Sequence, residues 1–245
     1  MSWLALLLIG IGVADLARSV RPARLVPECL GATVVLGGGL ACGLSAGRDV
    51  AALLVVGAAV LLWGQLVARA FVTEGRAGRP LVALGLSLAA ALGGAPYAGE
   101  VDGALGAWLD RDPLPLLTGL DPDRVLLVLG VLLVQMSTGN VLVRLVLAAT
   151  GTVLPQAQGT PSDPGARLKG GRLLGPMERL FIVGLGLAGE LTAAAIVIAA
   201  KGLLRFPELQ SRQEQERIHQ LTEYFLVGSF VSWLVALGSL VVASG

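Results

Sequence analysis

Long apolar runs separated by short polar stretches make up most of the chain. Seven of them reach the length of at least about 17 residues that a helix needs to cross a bilayer. They occupy residues 2–20, 25–45, 50–71, 80–96, 124–149, 177–203 and 221–243. This pattern predicts an all-α fold, a polytopic transmembrane helical bundle with seven spans.

The polar stretches divide the predicted bundle into three parts. These are an N-terminal portion of four spans at 1–96, an outer acidic loop at 97–123 and a C-terminal portion of three spans at 124–245. Within the last part, residues 150–175 are rich in Gly, Pro, Ser and Gln, a composition that predicts a mobile loop.

The outer loop contains one amphipathic segment among its acidic residues. Val101, Leu105 and Trp108 lie at helical spacing before Pro113. The spacing predicts a short helix on the membrane surface, with the tryptophan at the depth of the lipid headgroups. The acidic residues favour a solvated loop over a surface that attracts cations.

Composition places this bundle in a lipid bilayer. Hydrophobic residues make up 55% of the chain and charged residues 14%, whereas soluble domains have about 25% charged residues. The mean hydropathy is +0.79. The net charge of +1 argues against a nucleic-acid partner, for which a strongly basic patch is expected.

Few residues could support metal or cofactor chemistry. The chain has one histidine and two cysteines, and it contains no zinc-ligand cluster, Ser-His-Asp set or phosphate-binding loop. We therefore predict no metal and no cofactor. The catalytic residues of an enzyme stay unknown, and an enzyme is the less favoured class.

Basic residues favour one orientation of the chain in the membrane. They cluster in the first, third and fifth connections and are sparse in the second and fourth. Because such clusters mark cytoplasmic loops, we predict the N-terminus outside and the C-terminus in the cytoplasm. The sixth connection, with Lys201, Arg205, Arg212 and Arg217, does not follow this pattern.

Glu190 lies near the middle of the sixth apolar run. A charge at the centre of a membrane helix costs at least about 2.5–3.5 kcal/mol on insertion scales, and such residues often mark a pathway or a binding site. Arg179, Glu190 and Lys201 are each eleven residues apart. Eleven residues turn a helix only about 20° beyond three full turns, so an unbroken helix would place all three on one stripe.

Helix ends offer a structural explanation for some of these charges. Glu178 and Arg179 follow Pro176, which is typical of the first turn of a helix, where an acid complements the helix dipole. Lys201 suits the last turns, where a cation is favoured. This explanation does not fit Glu190, which the pattern places far from any helix end.

Polar residues of the fifth run are predicted to lie at the depth of Glu190. Gln135, Asn140 and Arg144 are the candidates, and the last two share a helix face with Ser137. They could hydrogen-bond the carboxylate or line an aqueous path. Helix packing explains the Ser and Asn equally well.

Three further acids lie at the ends of apolar runs. Glu223 opens the last run beside Tyr224 and is a candidate site residue. Asp15 and Glu28 lie near the arginines of the first connection, with which they could simply pair.

The segment GLGLAG at residues 184–189 matches a dinucleotide-binding fingerprint in form. That fingerprint requires a preceding strand and a helix that starts at the glycines, whereas these glycines fall inside the sixth apolar run. Close packing against a neighbouring helix, by Gly184 with Ala188 and Gly189 with Ala193, is the favoured explanation.

The C-terminal half contains the segments TGNVLVR, GRLLGPMERLFIV, AGELTAAAIVIAAKGLLRFPEL and TEYFLVGSFVSWLVAL. In these segments the chain resembles a family of small bacterial polytopic membrane proteins catalogued as a domain of unknown function. The matching positions are Asn140, Arg144, Glu178, Arg179, Lys201, Arg205, Phe206, Glu223 and Tyr224. The resemblance implies a multi-pass protein of the bacterial cytoplasmic (inner) membrane and assigns no activity.

Three functions follow from these observations. The leading hypothesis is a transporter or channel-like protein with a midplane carboxylate site at Glu190 for a cation, a proton or a basic group. The second is an assembly or binding subunit, whose polar residues fix helix packing and dock a second copy or a partner membrane protein. The third is an intramembrane enzyme with a lipid or isoprenoid ligand. It requires Glu178, Arg179, Glu190, Lys201 and Glu223 to converge, which the eleven-residue spacing disfavours.

Overall fold

The computed structural model describes residues 1–21, 23, 25–72, 76–111, 119–152, 171–209 and 215–244, with the side chains of 171–172, 201–202, 204–209 and 215–222 left out. The described residues form helices and no strand, which confirms the predicted all-α class. The helices are α1 (Ser2–Val20), α2 (Val26–Ala41), α3 (Gly47–Ala70), α4 (Gly78–Gly94), α5 (Gly103–Leu109), α6 (Pro122–Met136), α7 (Thr138–Ala149), α8 (Gly171–Leu187), α9 (Leu191–Leu209) and α10 (Gln215–Ser244).

Four described helical segments are long and apolar enough to cross a membrane, as expected of a membrane protein. They are Ser2–Val20, Gly47–Ala70, Gly78–Tyr97 and Glu223–Ser244. The pair α6 and α7 makes a fifth if the two helices form one broken span. The apolar run at 25–45 yields only the 16 residues of α2, and the run at 177–203 is divided between α8 and α9. Seven spans therefore remain a prediction, as does the orientation.

The chain forms two compact units, Met1–Thr138 and Gly139–Gly245. The first contains α1 to α6 and the second contains α8 to α10 and all of α7 except its first residue. The predicted C-terminal portion started at residue 124, whereas α6 packs with the N-terminal helices. The predicted mobile loop at 150–175 lies mostly outside the described residues.

Helix α1 is the centre of the first unit and contacts α2, α3, α4 and α6. Glycines make this central position sterically feasible. A Cβ at Gly31 would overlap the Gly10 carbonyl oxygen, and one at Gly12 would lie 2.8 Å from the Leu133 Cβ. Close backbone approach of this kind is a usual means of helix association in membranes.

The first turn of α1 is held by the segment that follows α4. The Ser2 Oγ donates to the Gly99 carbonyl (2.8 Å), and the Trp3 Nε1 donates to the buried Asp49 carboxylate (3.0 Å). The Gly99 amide donates to the same Asp49 oxygen (3.0 Å). Beyond this tether, α5 confirms the predicted short helix, and Trp108 is exposed on it.

In the second unit, α8 contacts both α9 and α10. A Cβ at Gly186 would overlap the Leu240 side chain, so this glycine permits the close approach of α8 and α10. Of the glycines in the segment 184–189, Gly186 is therefore the one that packs against a neighbouring helix. A Cβ at Gly184, the position predicted to pack, would have no described atom within 4 Å.

The prediction of one unbroken helix through Glu190 was wrong. Gly189 has φ +82, and its amide donates to the Gly186 carbonyl while the Glu190 amide donates to the Leu185 carbonyl. This pair of bonds is a Schellman motif, which ends a helix at a glycine in the left-handed region. The Glu190 carbonyl then accepts from the Ala194 amide and starts α9. Glu190 therefore lies at the N-terminal end of α9, whose dipole favours its charge.

Candidate functional site

Arg179 is the most enclosed charged residue that the structure describes in the second unit, with 1% of its surface exposed. Its Nη2 donates to the Asn140 Oδ1 (2.9 Å) and its Nη1 donates to the Ser232 Oγ (3.2 Å). These bonds connect three helices, because Asn140 belongs to α7, Arg179 to α8 and Ser232 to α10.

Two glycines leave the space that the guanidinium occupies. A Cβ at Gly139 would lie 2.5 Å from the Arg179 Nε and 2.6 Å from its Cζ. A Cβ at Gly175 would lie 3.2 Å from the Asn140 Oδ1 and 3.5 Å from the Arg179 Nη1. The arginine thus lies directly against the start of α7, where any larger residue would displace it.

Glu178 is buried beside Arg179 and reaches the same neighbouring helix. The Trp233 Nε1 donates to its Oε1 (2.8 Å). Two consecutive residues of α8, an acid and a base, therefore meet two consecutive residues of α10, Ser232 and Trp233. Opposite charges lie side by side in this network, which lowers the cost of burying each.

The helix-end explanation of Glu178 and Arg179 was wrong. Helix α8 begins at Gly171, and Pro176 lies inside it rather than in its first turn. Both side chains point into the unit, where helix packing and not the dipole of a terminus holds them.

The remaining predicted site residues are dispersed. Gln135 is fully buried in the first unit, where its Nε2 donates to the Val131 carbonyl (3.3 Å). Arg144, Glu190 and Glu223 are exposed. The side chain of Lys201 lies outside the described residues. The structure thus brings together Asn140, Glu178 and Arg179 from the predicted set.

Ser232 and Trp233, which bind Arg179 and Glu178, were not predicted as site residues from the sequence. A signal was present, because the adjacent pair Glu178-Arg179 is matched by an adjacent hydrogen-bonding pair at 232–233 in the last apolar run. Which helix faces which is not encoded in such spacing, so the pairing was not predictable.

The first unit has its own buried charges. The Arg18 Nη2 lies 2.7 Å from the Glu28 Oε1, and its Nη1 donates to the Gly64 carbonyl (3.2 Å). This pair agrees with the structural explanation proposed for Glu28. Asp15 instead accepts from the Trp63 indole, at 3.1 Å and 3.3 Å to its two oxygens.

Metal binding has no support in the part of the chain that the structure describes. No group of three or more His, Cys, Asp or Glu residues there could hold a metal ion.

Comparison of the chain with family models, with curated proteins and with solved structures found no match. Membership of the family of small bacterial membrane proteins therefore stays a prediction.

Proposed function

We propose that the protein is a membrane-embedded assembly or binding subunit whose buried polar residues fix the packing of its helices. The main support is the enclosure of Arg179 and Glu178, which are bonded to side chains of neighbouring helices within their own unit. Charges held in this way can specify helix register, and they are not accessible to a solute.

In this proposal the partner is a second copy of the chain or another membrane protein. Large apolar side chains are exposed on α4 and α10, among them Val82, Leu86, Phe230 and Leu234. Lipid covers the part of these faces that the partner does not. The location we propose is the bacterial cytoplasmic membrane, with the N-terminus outside, on the basis of the sequence resemblance and the basic connections.

Arg179→Met tests the packing role. Removing one member of a buried charged network costs about 3–5 kcal/mol, so the free energy of unfolding in a titration with denaturing detergent should fall by that amount. Arg124→Met is the control, because Arg124 is exposed on α6, and the expected change is within about 0.5 kcal/mol. Equal, small effects of the two substitutions would contradict the packing role.

Proteoliposomes test the absence of transport. The proposal expects proton and cation flux to equal that of protein-free liposomes. A flux that the wild-type protein supports and Glu190→Gln abolishes would contradict the assembly function.

A cation or proton site at Glu190 is the second candidate. Its support is an exposed carboxylate at an interruption between two apolar helices, for which the structure records no partner among the described residues. Discontinuous helices frequently hold the coupling ion in transporters, because their ends present unpaired backbone groups. The same Glu190→Gln flux measurement decides between the two candidates.

A further inference from the structure

Asp15 is a buried carboxylate whose described hydrogen-bond partner carries no charge. It is 3% exposed on α1. The Trp63 Nε1 donates to both of its oxygens. An indole N–H satisfies hydrogen-bonding capacity but adds no positive charge, so this contact does not neutralise the acid.

The nearby cation, Arg18, forms its ion pair with Glu28 and not with Asp15. Arg18 lies one turn along α1, and its two terminal nitrogens bond the Glu28 carboxylate and the Gly64 carbonyl. Within the described residues no cation lies within 4 Å of the Asp15 carboxylate. Glu28 is 2% exposed. Among the residues that the structure describes, the cluster therefore contains two buried carboxylates and one guanidinium, which leaves one negative charge in excess there.

The break between α6 and α7 lies against this cluster. Ser137 ends α6 with φ −127 and ψ −64, and its Oγ donates to the Gly12 carbonyl (2.9 Å), one turn before Asp15 on α1. Thr138 is 2% exposed. Its hydroxyl lies beside the Asp15 carboxylate, close enough to interact, yet has no partner in hydrogen-bonding geometry.

The C-terminal pole of α6 and the N-terminal pole of α7 meet at the break and carry opposite partial charges. The net charge at this point is therefore set by the side chains. The charged groups that face Asp15 are thus Arg18 on its own helix and Glu28 on α2. Helix α3 contributes the neutral Trp63, and the break contributes the neutral Thr138.

A buried charge without a counter-charge is so costly that the group takes up a neutralising partner instead. We propose that Asp15 and Thr138 form a proton-binding site at the break between α6 and α7. A proton taken from water forms an O–H bond on one carboxylate oxygen, and this group donates to the Thr138 Oγ. The Trp63 indole keeps donating to the other oxygen. One proton removes the excess charge and gives the buried hydroxyl a donor.

This site is separate from the two candidates for the function of the chain. It lies in the first unit, whereas Glu190 and the Arg179 network lie in the second. Glu28 is the competing position for the proton, because its Oε2 is buried and has no hydrogen-bond partner among the described groups. Glu28→Gln would itself remove the excess charge, so the band frequency in Thr138→Val separates the two carboxyls. The matched control is Asp49→Asn, at a buried acid of the same unit that accepts from the Trp3 indole.

Infrared difference spectroscopy of the full chain in lipid bilayers tests the site directly. A protonated carboxyl shows a carbonyl stretching band that carboxylates lack and that shifts in heavy water. We expect this band in the wild-type protein at neutral pH, its loss in Asp15→Asn and its retention in Asp49→Asn. Thr138→Val should keep the band but raise its frequency, because the carboxyl loses its acceptor.

Four outcomes would overturn the proposal. They are the lack of the band in the wild-type protein at neutral pH, its loss in Asp49→Asn, an unchanged frequency in Thr138→Val, and displacement of the band by sodium at constant pH. If Asp15→Asn does not fold, the other two variants still decide. Thr138→Val removes a single neutral hydrogen bond, which contributes about 1 kcal/mol, so it should fold.

Discussion

The two units each bury a carboxylate that accepts a hydrogen bond from a tryptophan indole, but they balance its charge differently. In the second unit Glu178 lies next to Arg179, so Trp233 serves an acid that already has a neighbouring cation. In the first unit Arg18 is bonded to Glu28, so the described polar groups next to Asp15 are the neutral Trp63 and Thr138. The same kind of contact, a carboxylate with an indole, is therefore structural in one unit and, as we propose, part of a proton site in the other.

The largest predicted difference in unfolding free energy comes from replacing each acid with its amide. Glu178→Gln removes the anion beside Arg179 and should lower the free energy of unfolding by about 3–5 kcal/mol. Asp15→Asn replaces a carboxyl that the bound proton has already neutralised, so it should change the free energy of unfolding by less than about 1 kcal/mol. The measurement is detergent-induced unfolding followed by tryptophan fluorescence. Equal losses would show that Asp15 is balanced by charge as Glu178 is.

A smaller change in stability is expected from filling the space that the Arg179 guanidinium occupies. Gly139→Ala would place a Cβ against the Arg179 guanidinium, and overpacking of this kind costs about 1–3 kcal/mol. Gly184→Ala is the matched control, since a Cβ there meets no described atom, and it should stabilise the helix by about 0.5–1 kcal/mol. Thermal unfolding in one detergent compares the two. If Gly139→Ala is neutral, the guanidinium is not held against α7.

The smallest difference between the two units, about 1 kcal/mol, is expected from removing the indole donors. Trp233→Phe leaves a charged carboxylate without its donor and should cost about 2 kcal/mol or more. Trp63→Phe leaves an acid that is already neutral and should cost nearer 1 kcal/mol. Trp63 is fully buried and Trp233 is half-buried, so the two substitutions lose different amounts of packing. Each is therefore repeated in the Asp15→Asn or Glu178→Gln background, and the coupling free energy of each pair reports the charge state. A larger coupling free energy for Trp63 with Asp15 than for Trp233 with Glu178 would contradict the neutral state of Asp15.

Several features were predictable from local pattern. Apolar runs of bilayer length predicted the all-α class, and the spacing of Leu105 and Trp108 predicted α5. The pairing of Glu28 with an arginine of the first connection was one of the alternatives considered, and Arg18 is that arginine. Each of these depends on residues that are close in sequence or on hydrophobicity alone.

The ends of the helices were less predictable, and Gly189 shows why. A glycine inside an apolar run fits close helix packing and a left-handed helix end equally well, because both use the missing Cβ. The pattern favoured packing, whereas the backbone ends α8 there. This one difference moved Glu190 from a predicted midspan position to the start of α9 and removed the stripe with Arg179 and Lys201.

By itself, the sequence determined that this is an all-helical chain of apolar segments suited to a bilayer, because hydrophobicity and period are local properties. Only the tertiary structure decided which buried charges are balanced. Arg18 could have formed an ion pair with Asp15 or with Glu28, and the Glu178-Arg179 pair could have packed against any neighbouring helix. The choice depends on which backbones approach closely, and that is set by glycine contacts between helices distant in sequence.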